Sequence, residues 1–460
     1  MKGWRLAAGL AVLALAGCAS TGDEPPKASP AATFERNPYP STYHAYPGVA
    51  TALVGATVFD GAGARIENGT VLLRDTKVEA VGGPDLAVPA DYKRIDATGK
   101  FVTPGIIDVH SHLGDYPTPS VAAHSDGNEA TDPTTPNVWA EHSVWPQDPG
   151  FTRAMANGGI TSLQILPGSA NLMGGRSVTL KNVPGRTVQA MKFPGAPYGF
   201  KMACGENPKR NYGAKGKIPS TRMGNFAVNR ATWIKASEYR RKIDNGKQET
   251  RDLGMETLAG VLAGEILVHN HCYRADEMAT MIQLSKEFGF KIASFHHGVE
   301  AYKVRDLLAR DGVCGSLWAD WWGFKIEAYD GIQQNIALLE EAGACVAVHS
   351  DSAEGIQRLN QEAAKALRAG VAGGIDVDRE DAVRWITINP AKAIGIDEWT
   401  GSLEPGKMAD VVIWSGDPFS VYSKAERVFI DGALVFDRND PALQPDMDFE
   451  LGLPTEEVGW

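Results

Sequence analysis

The chain divides by the way apolar and polar positions recur. Short strand-like runs between glycine turns appear near both ends: TALVGATVFDG (51–61) and GTVLLRDTKVEAVGG (69–83), then MADVVIW (408–414) and RVFIDGALVF (427–436). Between them, apolar strand runs alternate with segments of helical periodicity, the form a parallel sheet with crossover helices takes in sequence. The strands expected are GIIDVHSH, GITSLQIL, GFKMA, EILVHNH, FKIASFHH, GVCGSLW and CVAVHSD. Helices are expected over 227–243, 274–288, 299–310, 331–342 and 354–369. This alternation predicts an α/β fold, a (β/α)8 TIM-type barrel. Only seven strands can be placed, because 115–150 and 167–190 are irregular and rich in Gly and Pro; both are expected to be long loops at the catalytic face.

The first residues follow a different pattern. Lys2 and Arg5 precede a wholly apolar run from Leu6 to Ala16, too short to span a bilayer, which needs about twenty residues. It reads as a secretory signal. Its end, Leu15-Ala16-Gly17-Cys18, resembles the lipobox of bacterial lipoproteins, which implies cleavage before Cys18 and lipidation of that cysteine. Ala19 in place of Asp implies the outer membrane, facing the periplasm or cell surface. The expected organisation is a signal peptide over 1–18 and a flexible tether over 19–48. A β-sandwich follows, split into 49–101 and 396–440 around a barrel over 102–395, and a tail covers 441–460.

Composition narrows the function. Lys plus Arg total 45 against 56 Asp plus Glu, a formal charge of −11, which argues against nucleic-acid binding. Five cysteines without a CxxC offer no zinc ribbon, and Cys204, Cys272, Cys314 and Cys345 are expected to be buried free thiols. The histidines carry the chemistry. Seven of the ten end four expected strands: His110 and His112, His269 and His271, His296 and His297, and His349, the last followed by Asp351. Strand alternation puts His110 and His112 on one face, and in a barrel the carboxyl ends of the strands converge on one mouth.

This constellation resembles the metal-dependent amidohydrolase superfamily. VTPGIIDVHSH (102–112) and GSLEPGKMADVVIWSGDP (401–418) match its entry into and exit from the barrel. LPGSANLMGG, GENPKRNYG, TRMG, ADWWGFKIEAYD and INPAKAIGI resemble its imidazolonepropionase-like and prolidase-like branch. The resemblance implies metal ligands at His110, His112, His269, His297 and Asp351, with His269 preferred to His271 and His297 to His296. It also places at Lys201 the lysine that carries a bridging carbamate in binuclear members. Otherwise Lys201 pairs with Glu206 or Asp351, and Glu206 takes the bridging role or the site is mononuclear.

Carboxylate and imidazole ligands suit two Zn2+ ions, with Mn2+, Fe2+ or Co2+ compatible. The expected reaction is hydrolysis of an amide or peptide-like C–N bond in a small peptide or cyclic amide by metal-activated hydroxide, with Asp351 carrying the proton to the leaving amine. His271, His296 and His349 either stabilise the oxyanion, hold the substrate or orient ligands. Arg210, with Lys209 and Arg222, is a candidate for a substrate carboxylate. Trp318, Trp321 and Trp322 either line a pocket or pack a loop. The competing reading is a mononuclear deaminase acting on a ring amidine; a non-enzymatic surface protein is disfavoured because every ligand position is filled. The partners expected are a small-molecule or short-peptide substrate, the membrane through a lipid anchor alone, and a second copy of the chain.

Overall fold

The structure is a computed structural model that describes residues 37–248 and 250–444. The lipobox, Cys18 and most of the expected tether lie outside the described residues, as do residues 445–460.

Near the start of the described chain come β1 (Thr51–Phe59), β2 (Arg65–Arg74), β3 (Lys77–Gly82), β4 (Lys93–Asp96) and β5 (Phe101–Pro104). The barrel strands are β6 (Ile106–Ser111), β7 (Ile160–Ile165), β8 (Met173–Lys181), β9 (Tyr198–Ala203), β10 (Ile266–Cys272), β11 (Ile292–His297), β12 (Cys314–Leu317) and β13 (Val346–Val348). β14 (Val411–Trp414), β15 (Ala425–Ile430) and β16 (Ala433–Asp437) follow.

The two terminal sets of strands join through β5 and β14 into one hydrogen-bonded sheet, ordered β16-β15-β14-β5-β1-β2-β3. β1 divides it: its first half pairs with β4 and its second half with β5, both parallel. The expected sandwich is therefore one continuous mixed sheet. Leu53, Val71, Val102, Val411 and Phe429 pack together in its core.

β6 to β13 lie side by side in chain order, and β13 returns to contact β6 in an almost closed barrel. One strand departs from the β/α repeat. β8 runs antiparallel to both β7 and β9, so the stretch expected to be a loop over 167–190 supplies a barrel strand. Its sequence, MGGRSVTLK, hides this, because two glycines and two cations break the apolar run. All nine residues are buried nonetheless. Arg176 donates to Thr257 and lies 4.0 Å from the Trp139 ring, and Lys181 enters an ion cluster. The 113–148 stretch does remain a loop, with two short 3-10 turns.

The expected free thiols are corrected. Cys204 bonds to Cys272 and Cys314 to Cys345, with Cα separations of 5.3 and 4.4 Å. The partners are 68 and 31 residues apart in the chain, and only strand neighbourhood in the barrel brings them together. Residues 37–48, the end of the expected tether, run along the barrel. The Thr42 amide donates to the Gln189 carbonyl (2.9 Å), and the Tyr43 hydroxyl donates to Asp431 (2.5 Å).

Candidate metal centre

β6 delivers His110, fully buried, and His112 just past its end. A neighbouring carboxylate with three contacts holds this strand end in place. Asp108, also fully buried, accepts from the backbone N–H groups of His110 (3.1 Å) and Ser350 (3.2 Å) and from the Ser350 hydroxyl. It ties β6 to the segment after β13, so His110 and Asp351 cannot drift apart. Burial pushes the Asp108 carboxyl up to about 7, with Ser350 and the His110 amide opposing the rise.

Four potential donor atoms converge here. His110 Nε2 lies 3.3 Å from His112 Nε2, 3.5 Å from Asp351 Oδ1 and 3.3 Å from Lys201 Nζ, while His112 Nε2 lies 3.1 Å from Asp351 Oδ1. Ligands about 2.0–2.1 Å from a tetrahedral ion are separated by about 3.3 Å, so these separations fit the edges of such a shell. His110 also groups with His297 and His349 as candidate ligands. Lys201 is fully buried, and burial lowers its ammonium to about 8, with Asp351 pulling the other way.

Two residues are turned into the mouth by unusual backbone. His297 has φ 72° and Asp351 φ 51°, two of five non-glycine residues with positive φ among the described residues. Alternation along β11 would put His296 and His297 on opposite faces. The left-handed conformation at His297 brings its ring to 5.0 Å from those of His349 and 4.9 Å from that of His110. Such backbone costs about 1–3 kcal/mol and persists where the surroundings impose it.

His269 and His296 occupy a layer beneath. His296 meets His110 through its Nδ1 (2.8 Å) and His269 through its Nε2 (2.9 Å), and His269 Nε2 lies 3.3 Å from Gln164 Nε2. Two proton orders can satisfy this chain of imidazoles, since each neutral ring carries one N–H. If the protons point from His110 toward Gln164, His110 Nε2 is left bare toward the mouth. That order needs the Gln164 amide turned with its oxygen toward His269, and it gives a partner to Gln164 Oε1, which is buried without one. By contrast, both ring nitrogens of His271 and Nδ1 of both His297 and His349 are buried with no hydrogen-bond partner among the described residues. Burial pushes the imidazoles of His271 and His297 well below their usual range, which leaves neutral rings with lone pairs available. These donors fit a divalent cation.

A model of the Amidohydrolase family matches residues 253–441. The chain is 39% identical to an amidohydrolase from Thermotoga maritima MSB8 of known structure, with a TM-score of 0.78, over 84% of this chain and 100% of that one. The chain belongs to the amidohydrolase family. It is also 32% identical over 405 residues to amidohydrolase tasK of Hapsidospora irregularis, covering 82% of this chain and 40% of that longer protein. An imidazolonepropionase from Mesorhizobium japonicum is 24% identical over 396 residues, covering 78% of this chain and 90% of the relative.

Beside the donors of this amidohydrolase opens a cleft of about 450 Å3, lined by Asp351, Tyr273, Trp318, Trp321, Trp322 and Phe324. The tryptophans divide their roles. Trp318 is buried, packs 4.4 Å from the His297 ring and donates to the Ser350 carbonyl (3.2 Å), whereas Trp321 and Trp322 remain partly exposed along the cleft. Lys325 reaches in over the Tyr273 ring (3.9 Å), 3.7 Å from Glu206. Glu206 is thus beside a lysine and outside the groups that could hold an ion. Arg222 is engaged by Glu277 (3.1 Å) and Glu327, and Arg210 is exposed on the helix over 206–213.

Asp108, Gln164, Tyr273 and Lys325 had drawn no role from the sequence. Asp108 stood two residues before His110 inside an apolar strand, where a lone carboxylate is a signal. Gln164 likewise interrupts an apolar run. Tyr273 gave no sequence signal, and Lys325 lay within the run ADWWGFKIEAYD without a role of its own, because only the packing of two loops places them at the mouth.

Proposed function

We propose that the chain hydrolyses a C–N bond of a small amide, a short peptide or cyclic amide, at a binuclear metal centre. The observation that carries this is the shell of donors around His110 Nε2, set beside buried imidazoles that lack partners and an aromatic cleft. His110, His112 and Asp351 would hold one ion, and His271 and His297 the other. His271 is favoured over His269, whose ring nitrogens are engaged by His296 and Gln164. Lys201, with its lowered ammonium, would bridge the two as a carbamate. The ions, Zn2+ from ligand type, would polarise a carbonyl and bring the pKa of water to about 7.

The protein's own groups do the rest. Asp351 accepts the proton of the attacking water and returns it to the departing amine. His349, with a free Nδ1 on the same rim, is placed to hydrogen-bond the developing oxyanion. His296 and His269 keep the His110 ring in the tautomer that leaves Nε2 bare. Trp321, Trp322 and Phe324 seat an apolar substituent.

Export to an oxidising compartment belongs to the same proposal. Two disulfides support it, as does the expected lipid anchor at Cys18.

The test is metal content per chain, by elemental analysis, for the protein without its first 18 residues and for Lys201→Ala, with a dipeptide and cyclic-amide screen alongside. Two ions in the parent, at most one in the variant, and hydrolysis by the parent alone are expected. One ion in both would remove Lys201 from the centre and overturn the binuclear reading.

A further inference from the structure

A second cavity, of about 600 Å3, lies under the loop that follows β6 and shares no lining residue with the aromatic cleft. Its wall carries three carboxylates, Asp115, Asp126 and Glu129, and neither a lysine nor an arginine. Asp115 is fully buried, and neither of its oxygens makes a hydrogen bond of good geometry among the described residues. The Ser143 hydroxyl beside it donates instead to the Ala140 carbonyl (3.2 Å). A buried carboxylate left this way calls for a cation, since an uncompensated buried charge is costly.

The geometry says which kind. Among the described residues, no three carboxylate or imidazole donors of this cavity come within 4.8 Å of one another, the spacing a shared metal ion requires. A volume of about 600 Å3 suits an organic cation instead. Two residues of its wall, Pro167 and Gly174, neighbour the metal centre. Pro167 follows Leu166, whose carbonyl accepts from His112 Nδ1 (2.7 Å), and a Cβ built on Gly174 would lie 3.7 Å from Lys201 Cγ.

We propose that this cavity is a cation subsite: it receives an ammonium or guanidinium group of the substrate through Asp115, with Asp126 and Glu129 drawing it in. Resting on the hydrolase reading, this narrows the substrate to an amide whose bearer carries a positive charge, on a basic side chain or at a free amino terminus.

Calorimetric titration of the purified protein with L-argininamide, Nα-acetyl-L-argininamide and L-norleucinamide tests it. Binding of both arginine compounds, weakened about tenfold or more by Asp115→Asn and reduced by salt, would support a side-chain cation. Binding of the two free amines, with loss of the acetylated compound, would support the amino terminus. Equal binding of all three, or affinities unchanged in both Asp115→Asn and Asp126→Asn, would overturn the subsite. Asp126 is exposed, so the second variant guards against misfolding of the first. Charge-selective binding without any amide hydrolysis would sink the hydrolase reading and leave the subsite standing.

Discussion

Two buried polar clusters in this barrel face opposite fates. At one, Lys181 Nζ donates to both oxygens of Asp410 (3.0 Å each) and to Asp431 Oδ1 (3.1 Å). Thr400 donates to Asp410 (2.7 Å) and Tyr43 to Asp431. All three lysine protons are used, and none of these side chains is left without a partner. At the other, the mouth, His271, His297 and His349 keep ring nitrogens unpaired although equally buried. Both clusters concentrate ionisable groups away from water. The difference is closure: the first is complete within the protein and welds β8 to the terminal sheet, while the second is complete only with something bound. Unsatisfied donors, more than burial or charge, separate a site from a brace.

Substitutions should separate the two clusters in kind. Asp351→Asn should lower kcat by about 10^2–10^4-fold, the usual worth of a positioned acid–base group, with an unfolding midpoint close to the parent's; a variant keeping both metals and full turnover would break the mechanism. Lys181→Ala should do the reverse. Leaving two buried carboxylates unpaired is expected to cost about 3–5 kcal/mol in urea unfolding, with turnover per folded molecule unchanged. The disulfides sharpen the contrast within one class of bond. Serine at both Cys314 and Cys345 should cost about 2–4 kcal/mol and leave kinetics alone. The same change at Cys204 and Cys272, adjacent to His271 and three residues from Lys201, should also lower kcat. Smallest is Trp321→Ala, expected to raise KM by about threefold to tenfold with kcat nearly unchanged, as for a contact equally strong in ground and transition states.

Much of the frame was legible because alternation is local. The runs carrying His110, His271, His297 and His349 read as strands, and the structure ends β6, β10, β11 and β13 at or within one residue of those histidines. β8 escaped because its buried cations are paid for by Trp139, Thr257, Asp410 and Asp431, all distant in sequence. The disulfides escaped for the same reason.

The sequence by itself determined that strands would carry histidines to one rim, since residue type and period two are properties of the chain alone. It also determined family membership through the motifs flanking the barrel. Only the tertiary structure decided which histidines face inward with lone pairs to spare. That choice depends on strand neighbours: His296 sits between His110 and His269, His269 is engaged by Gln164, and His297 is turned by a left-handed backbone. A hydrogen bond between residues 186 positions apart, such as that linking His110 and His296, leaves no trace in local pattern and exists only once the barrel closes.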